Sequence, residues 1–232
     1  MRQARAVMAE VTRRGRLPVV VGGTGFYLRA LLDGLFVGPS RNPELRQRLR
    51  QRAEEKGSAY LHRLLRRLDP AVAVQIHPND EPKIIRALEV CLVAGRPVSE
   101  LHRNGRARLE GYGVFKLGLN PPREALYERI NERTQALFDG GLVQEVQSIL
   151  DRGYAATVPP LGSHGYRQAL DYLQGKLSLA EAIYHARTRT RQYAKRQMTW
   201  FRKEADVRWF NGFGTDAAVQ IEGCDFLAAK LK

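Results

Sequence analysis

Leu17-Pro18-Val19-Val20-Val21 constrains the fold more than any other stretch of this chain. It is an unbroken apolar run rich in β-branched residues, closed by Gly15 on one side and Gly22-Gly23-Thr24-Gly25 on the other. Branching at Cβ disfavours helix, and a continuous run suits a short strand buried on both faces. Helical spacing flanks it: Ala4, Val7, Met8 and Val11 before, then Leu28, Leu31, Leu32 and Leu35 within a helix expected over Phe26 to Leu35. Helix, buried strand, glycine turn, helix is the order of an α/β fold with a parallel sheet.

The remaining patterns fit that class. Residues 44–68 are helical in spacing, broken near Gly57-Ser58. Asp69-Pro70 opens a short helix, and Asp80 is placed to cap a helix ending at Ala94. Residues 41–111 therefore read as an all-helical segment inserted in the α/β core. Strands are expected at Tyr112 to Leu119 and Val207 to Phe210. Ser178-Leu179-Ala180-Glu181 is a capping box opening a helix to about Lys203. The domain reading is a core part over 1–40, the helical insert over 41–111 and the rest of the core over 112–232.

Of the 232 residues, 44% are hydrophobic and 27% charged, enough for a packed core and against wholesale disorder. No apolar run approaches the roughly 20 residues a membrane helix needs. No secretory leader is expected either. Two cysteines, Cys91 and Cys224, cannot build a disulfide scaffold or a four-ligand zinc site, and a reduced, cytoplasmic compartment fits. The five histidines show no metal spacing.

Charge narrows the function. Lys and Arg total 38 against 24 Asp and Glu, a formal +14. Residues 41–67 carry nine bases and three acids, and residues 183–203 carry seven bases and no acid. Two concentrated basic segments point to a polyanionic partner, with a generally basic proteome as the plain alternative.

Four motifs carry candidate chemistry. Gly22-Gly23-Thr24-Gly25 could offer backbone N–H groups to a phosphate at a helix start, or be a tight turn with Thr24 as cap. It is not a P-loop, whose glycine-lysine signature occurs nowhere in the sequence. Arg187, Arg191, Lys195 and Arg202 fall on one helix face; like charges four apart repel, so the face favours an anion or is merely solvated. Lys83 and Arg86 share a face with Ile84 and Ile85 turned inward, which is ordinary amphipathic patterning. His164-Gly165-Tyr166-Arg167-Gln168 combines a stacking ring, a phosphate-binding cation and a glycine, or is a helix start with Tyr166 in the core.

Taken together the motifs resemble the tRNA dimethylallyltransferases. The resemblance runs through Leu17 to Leu28, then Asn79-Asp80 with Ile84 to Val90. It continues with Gly165-Tyr166-Arg167-Gln168 and Thr190-Arg191-Gln192-Tyr193-Ala194-Lys195-Arg196-Gln197-Met198-Thr199-Trp200-Phe201. It implies a P-loop NTPase-like parallel-sheet core with an inserted helical domain that grips the tRNA anticodon stem-loop. The implied reaction moves a dimethylallyl group from dimethylallyl diphosphate to the exocyclic amine of the adenosine 3′ of the anticodon, which is flipped from its stack. Magnesium, Mg2+, is implied as the ion beside the diphosphate, and the protein as a monomer with no membrane partner.

Carried across position by position, the resemblance places Thr24 and Arg191 at the reacting centre. Gly22, Gly23 and Arg191 would face the diphosphate. Arg46, the stretch Pro82-Lys83-Ile84-Ile85-Arg86, and His164, Gly165, Tyr166 and Arg167 would face tRNA. Pro82 and Lys83 depart from the family pattern Gln-Arg-x-x-Arg, so a glutamine contact is lost and a guanidinium fork becomes a point charge. Family members also carry about 80 residues ahead of the position of Met1, with a P-loop and a general-base aspartate that these 232 residues lack. The core is thus expected to be incomplete at its N-terminus. Two other readings stay open: a tRNA-binding chain without catalysis, and a nucleotide-kinase relative suggested by Arg129 and Arg133.

Overall fold

The computed structural model describes residues 1–35, 38–103 and 107–231. They form two compact units, Met1–Tyr112 and Gly113–Lys232.

The first unit is helical. Helices α1 (Arg2–Arg13) and α2 (Gly25–Leu32) precede a cluster of α3 (Pro43–Lys56), α4 (Ser58–Leu68), α5 (Pro70–Ala73), α6 (Glu81–Ala94) and α7 (Val98–Arg103). The expected start signals at Asp69 and Asp80 work as caps, and Asn42, expected only as part of a chain break, caps a helix too. Asn42 accepts from the Leu45 amide, Asp69 from Val72 and Asp80 from Lys83, each with proline in the first turn. Leu49, Leu61, Leu65, Ile84 and Leu88 close the core between α3, α4 and α6. Asp69, almost wholly buried, also accepts from the Ser99 amide at 2.8 Å, which satisfies its second oxygen. Residues 104–106 of the expected helical stretch and the side chain of His102 lie outside the described residues.

The expected strand at Leu17 to Val21 does not form. These residues have no regular structure, and Val19 and Val21 are 76% and 90% exposed. β-propensity measures fit to a paired, half-buried surface, and no described strand pairs with this run. Arg5 instead ties the region together. Its guanidinium donates to the Leu31 carbonyl at 2.6 Å and the Ala107 carbonyl at 2.7 Å, joining α1 to the end of α2 and to the segment leaving the helical cluster.

The second unit holds two parallel strands, β1 (Lys116–Leu119) and β2 (Val207–Phe210), paired Lys116 to Val207 through Leu119 to Phe210. β2 has the expected bounds; β1 keeps only the last four residues of the expected strand. A Cβ at Gly118 would lie 2.6 Å from the Trp209 ring, so glycine is what lets the indole lie across β1. Between the strands run α8 (Arg123–Asp139), α9 (Leu142–Asp151), α10 (Tyr166–Leu173) and the long α11 (Leu179–Phe201); α12 (Ala217–Lys230) follows β2. Phe138, Val146, Leu161, Leu170, Ala182 and Ala186 form their core. The Ser178 box is made in full: the Glu181 amide donates to Ser178 Oγ, and the Ser178 amide donates to the Glu181 carboxylate. The fold is α/β in class and dominated by helix. No described helix is long and apolar enough to cross a membrane.

Candidate nucleic-acid and diphosphate sites

The glycine turn delivers Thr24 to the N-cap of α2 with extended backbone angles. Its carbonyl accepts from the Tyr27 and Leu28 amides, and its side chain makes no cap hydrogen bond. Gly22 is exposed, its backbone is not in the left-handed region, and a Cβ there would meet nothing within 4 Å. Nothing in the described fold requires a glycine at Gly22; backbone left open beside a helix start is what an anion needs.

In the α3–α6 cluster, Arg46 and Arg86 converge on Glu89. Glu89 is fully buried. Arg46 grips it with Nε at 2.9 Å and a terminal nitrogen at 2.8 Å, and Arg86 donates at 2.6 Å. The Asn42 amide adds a fourth donor at 2.7 Å. Burial pushes the Glu89 carboxyl up, but the Arg46, Arg86 and Asn42 donors outweigh it and hold the pKa at about 2. Pro82 and Lys83 are exposed, and Lys83 pairs with Asp80, which lowers the Asp80 pKa. Ile84 and Ile85 are buried in the core, 0% and 3% exposed. The expectation that the whole stretch from Pro82 to Arg86 faces RNA is corrected at these two: helical periodicity turns them inward.

In the second unit Gly165, at a φ of +90°, caps α10, and its amide donates to Gln168 at 2.9 Å. A Cβ there would be left-handed and 3.3 Å from Leu142. Tyr166 packs against the core, and its hydroxyl donates to Glu145 at 2.6 Å, a bond that raises its pKa. Of the two readings of Tyr166, the structure takes the packed one. His164 is exposed and lies against the Tyr193 ring, centroids 5.4 Å apart; partial desolvation, then Arg196 and Arg189, lower its pKa. Arg167 pairs with Asp171 at 3.0 Å. A cavity of about 320 Å³ opens beside it, lined by Arg167, Lys176, His185 and Arg189.

On α11, Arg187 donates to Gln135 at 2.8 Å, and the Arg191 guanidinium sits over the Tyr127 ring at 5.7 Å, a ring that Arg123 also caps at 5.0 Å. Arg196 stacks on Tyr193 at 5.7 Å. Arg202 lies just past the helix end and is exposed. No described carboxylate pairs with Arg187, Arg189, Arg191, Lys195 or Arg196. Thr24 and Arg46 thus belong to one unit, Arg167 and Arg191 to the other.

Two participants escape the sequence reading. Glu89 stands three residues after Arg86, a spacing that signals a same-face ion pair; its link to Arg46, 43 positions away, has no local signal. Tyr127 belongs to an unremarked helix position, and only the packing of α8 on α11 brings it under Arg191.

The fold and these surfaces define a helix-rich α/β protein with concentrated cations, some held by a buried carboxylate and others left without one. The chain belongs to the IPP transferase family, whose model matches residues 1–204. It is 54% identical over 226 residues to a tRNA dimethylallyltransferase of Koribacter versatilis, covering 97% of this chain and 73% of that protein. A second such enzyme, from Solibacter usitatus, is 53% identical over 230 residues, covering 99% of this chain and 75% of the relative. Among solved structures, the tRNA isopentenylpyrophosphate transferase of Bacillus halodurans matches with TM-score 0.65 and 35% identity, covering 99% of this chain and 71% of that one. A eukaryotic dimethylallyltransferase, described as acting on tRNA, matches with TM-score 0.74 and 25% identity over 97% of this chain and 60% of its own.

Proposed function

We propose that this protein transfers a dimethylallyl group from dimethylallyl diphosphate to the N6 amine of the adenosine 3′ of the tRNA anticodon. The observation that carries this is identity of 54% and 53%, across nearly the whole chain, to two tRNA dimethylallyltransferases. In this reading the N6 lone pair forms the bond to the allylic carbon, the carbon–oxygen bond breaks with its electrons leaving on diphosphate, and the proton lost from N6 passes to solvent water. Charge grows on the leaving group. Arg191, with no carboxylate partner among the described residues and steadied over Tyr127, is the cation suited to meet it. In the first unit, exposed backbone at Gly22 beside the start of α2 suits an anion, in line with the diphosphate-facing role that the resemblance implies for Gly22 and Gly23 and the reacting-centre role it implies for Thr24. The helices of residues 41–111 act as the insert that grips the anticodon stem-loop through Arg46, Lys83 and Arg86. His164 and Arg167 add a second tRNA contact. Desolvation, then Arg196 and Arg189, lower the His164 pKa in the free protein and so favour its neutral ring there. A P-loop-type arrangement of the core belongs to the same reading. Magnesium finds no set of three His, Cys, Asp or Glu ligands among the described residues, and no step is assigned to it.

The test is incubation of the purified protein with dimethylallyl diphosphate, magnesium and unmodified tRNA, with nucleosides then resolved by mass spectrometry. Prenylated adenosine at the position 3′ of the anticodon is expected. RNA bound and left unmodified overturns the transfer reading.

A further inference from the structure

Glu89 is a fully buried carboxylate that the transfer chemistry does not use. All its donors come from outside its own helical turn except Arg86: Arg46 from α3, Asn42 from the α3 cap. Stability alone explains it poorly, because a buried ion cluster is often matched or bettered by apolar side chains of equal volume. Its geometric effect is specific. Two guanidinia from neighbouring helices are pinned to one carboxylate, so the group carries net positive charge. The Arg46 side chain stays 20% exposed and that of Arg86 37% exposed. Arg86 is also anchored by a 3.2 Å bond to the Pro39 carbonyl. Each guanidinium has five N–H donors, and the donors not aimed at Glu89 and Pro39 are left over. A guanidinium already held in place loses less side-chain freedom when it meets an anion, and its planar fork matches phosphate.

We propose that Glu89 is a positioning residue for nucleic acid: it fixes Arg86 and Arg46 as one cationic fork whose outward N–H groups receive a backbone phosphate of tRNA. The inference rests on the tRNA reading above. It assigns Arg46 and Arg86 a shared role through a third residue, which a simple count of basic contacts would not.

Direct titration with unmodified tRNA and steady-state prenylation separate the possibilities, using the wild-type protein, Glu89→Gln, Arg86→Gln and the double variant. Glu89→Gln is expected to raise both Kd and KM for tRNA about tenfold, with kcat at saturating tRNA within about twofold. The double variant should bind worse than Arg86→Gln alone by clearly less than the tenfold that Glu89→Gln costs by itself, because Glu89 acts partly through Arg86 and partly through Arg46. Wild-type affinity in folded Glu89→Gln overturns the proposal, and so do fully additive losses, which are the signature of a merely structural carboxylate. Should Glu89→Gln fail to fold, Arg86→Lys decides. It keeps the charge and loses the fork at a partly exposed site; a five- to tenfold weaker Kd is expected, and wild-type binding overturns the idea. Failure of the wild type itself to bind or prenylate tRNA is a separate result and defeats the functional reading first.

Discussion

Around α3 and α6, two arginines converge on one buried carboxylate; along α11, five cations share a helix with no carboxylate partner among the described residues. In sequence the two regions look alike, each a dense basic window. In the structure Arg46 and Arg86 are spent partly on holding helices together, whereas Arg187 and Arg191 rest on a neutral amide and an aromatic face. A cation neutralised inside the fold gives shape; one set on neutral neighbours keeps its field for a ligand. Net charge counts both equally, so composition does not show which cations the fold fixes on a carboxylate and which it sets on neutral neighbours.

The largest expected effect is in the first region. Glu89→Leu should destabilise the α3–α6 cluster by about 3 kcal/mol, near the low end for breaking a buried ion group, since both guanidinia can turn to water. Hydrogen exchange on α6 reads this. Both tryptophans, Trp200 and Trp209, lie in the second unit, so their fluorescence transition should hardly move. Equal loss in both readouts would break the contrast. The pH dependence has a definite sign. With the folded pKa at about 2 and the ordinary value at 4.5, Glu89 contributes fully above pH 4.5 and loses its contribution as pH falls toward 2. Protection of the α6 amides, taken relative to the intrinsic exchange rate at each pH, should therefore fall below pH 4.5 in the wild type and stay flatter in Glu89→Leu.

Arg191→Ala should do the reverse. Loss of a cation from a site of developing charge is expected to lower kcat/KM about 100-fold. Because no buried carboxylate is orphaned, stability should change by less than about 0.5 kcal/mol. A large fall in melting temperature with retained activity would place Arg191 among the structural arginines instead.

Legibility in the sequence followed the range of the interactions. Caps at Asp69, Asp80 and Ser178 are local hydrogen bonds over three residues, and each helix start they signal is present. Val207 to Phe210 was readable as a strand, and it has β1 to pair with. Leu17 to Val21 carries as strong a signal and has no strand partner among the described residues, because pairing is a property of the neighbour and not of the run. The inward turn of Ile84 and Ile85 was visible in their spacing, yet resemblance to an RNA-facing stretch suggested contact for all five residues. The Arg46–Glu89 and Arg191–Tyr127 contacts join distant positions and leave no periodic trace.

The start of α11 offers a smaller test. Ser178→Ala removes the side-chain acceptor for the Glu181 amide and half of the capping box, at a cost of about 1 kcal/mol. The loss should appear in the tryptophan transition and spare exchange on α6. An unchanged midpoint would mean that packing of Ala182 and Ala186 alone holds the first turns.

Salt should produce the smallest shift and separate the regions most directly. Arg187, Arg191 and Lys195 are spaced by four along α11, and each such pair costs a few tenths of a kcal/mol through repulsion. Raising salt from 0.1 to 1 M shortens the screening length from about 10 Å to about 3 Å and relieves exposed repulsion, while buried pairs respond little. The tryptophan-reported midpoint in urea should rise by the equivalent of a few tenths of a kcal/mol, with exchange on α6 unchanged. The same salt should weaken tRNA binding, because counterions compete for the cations that the helix leaves unpaired. Stability rising while affinity falls is the signature of charge held ready for a ligand; both falling together would mean that unseen carboxylates already neutralise the helix.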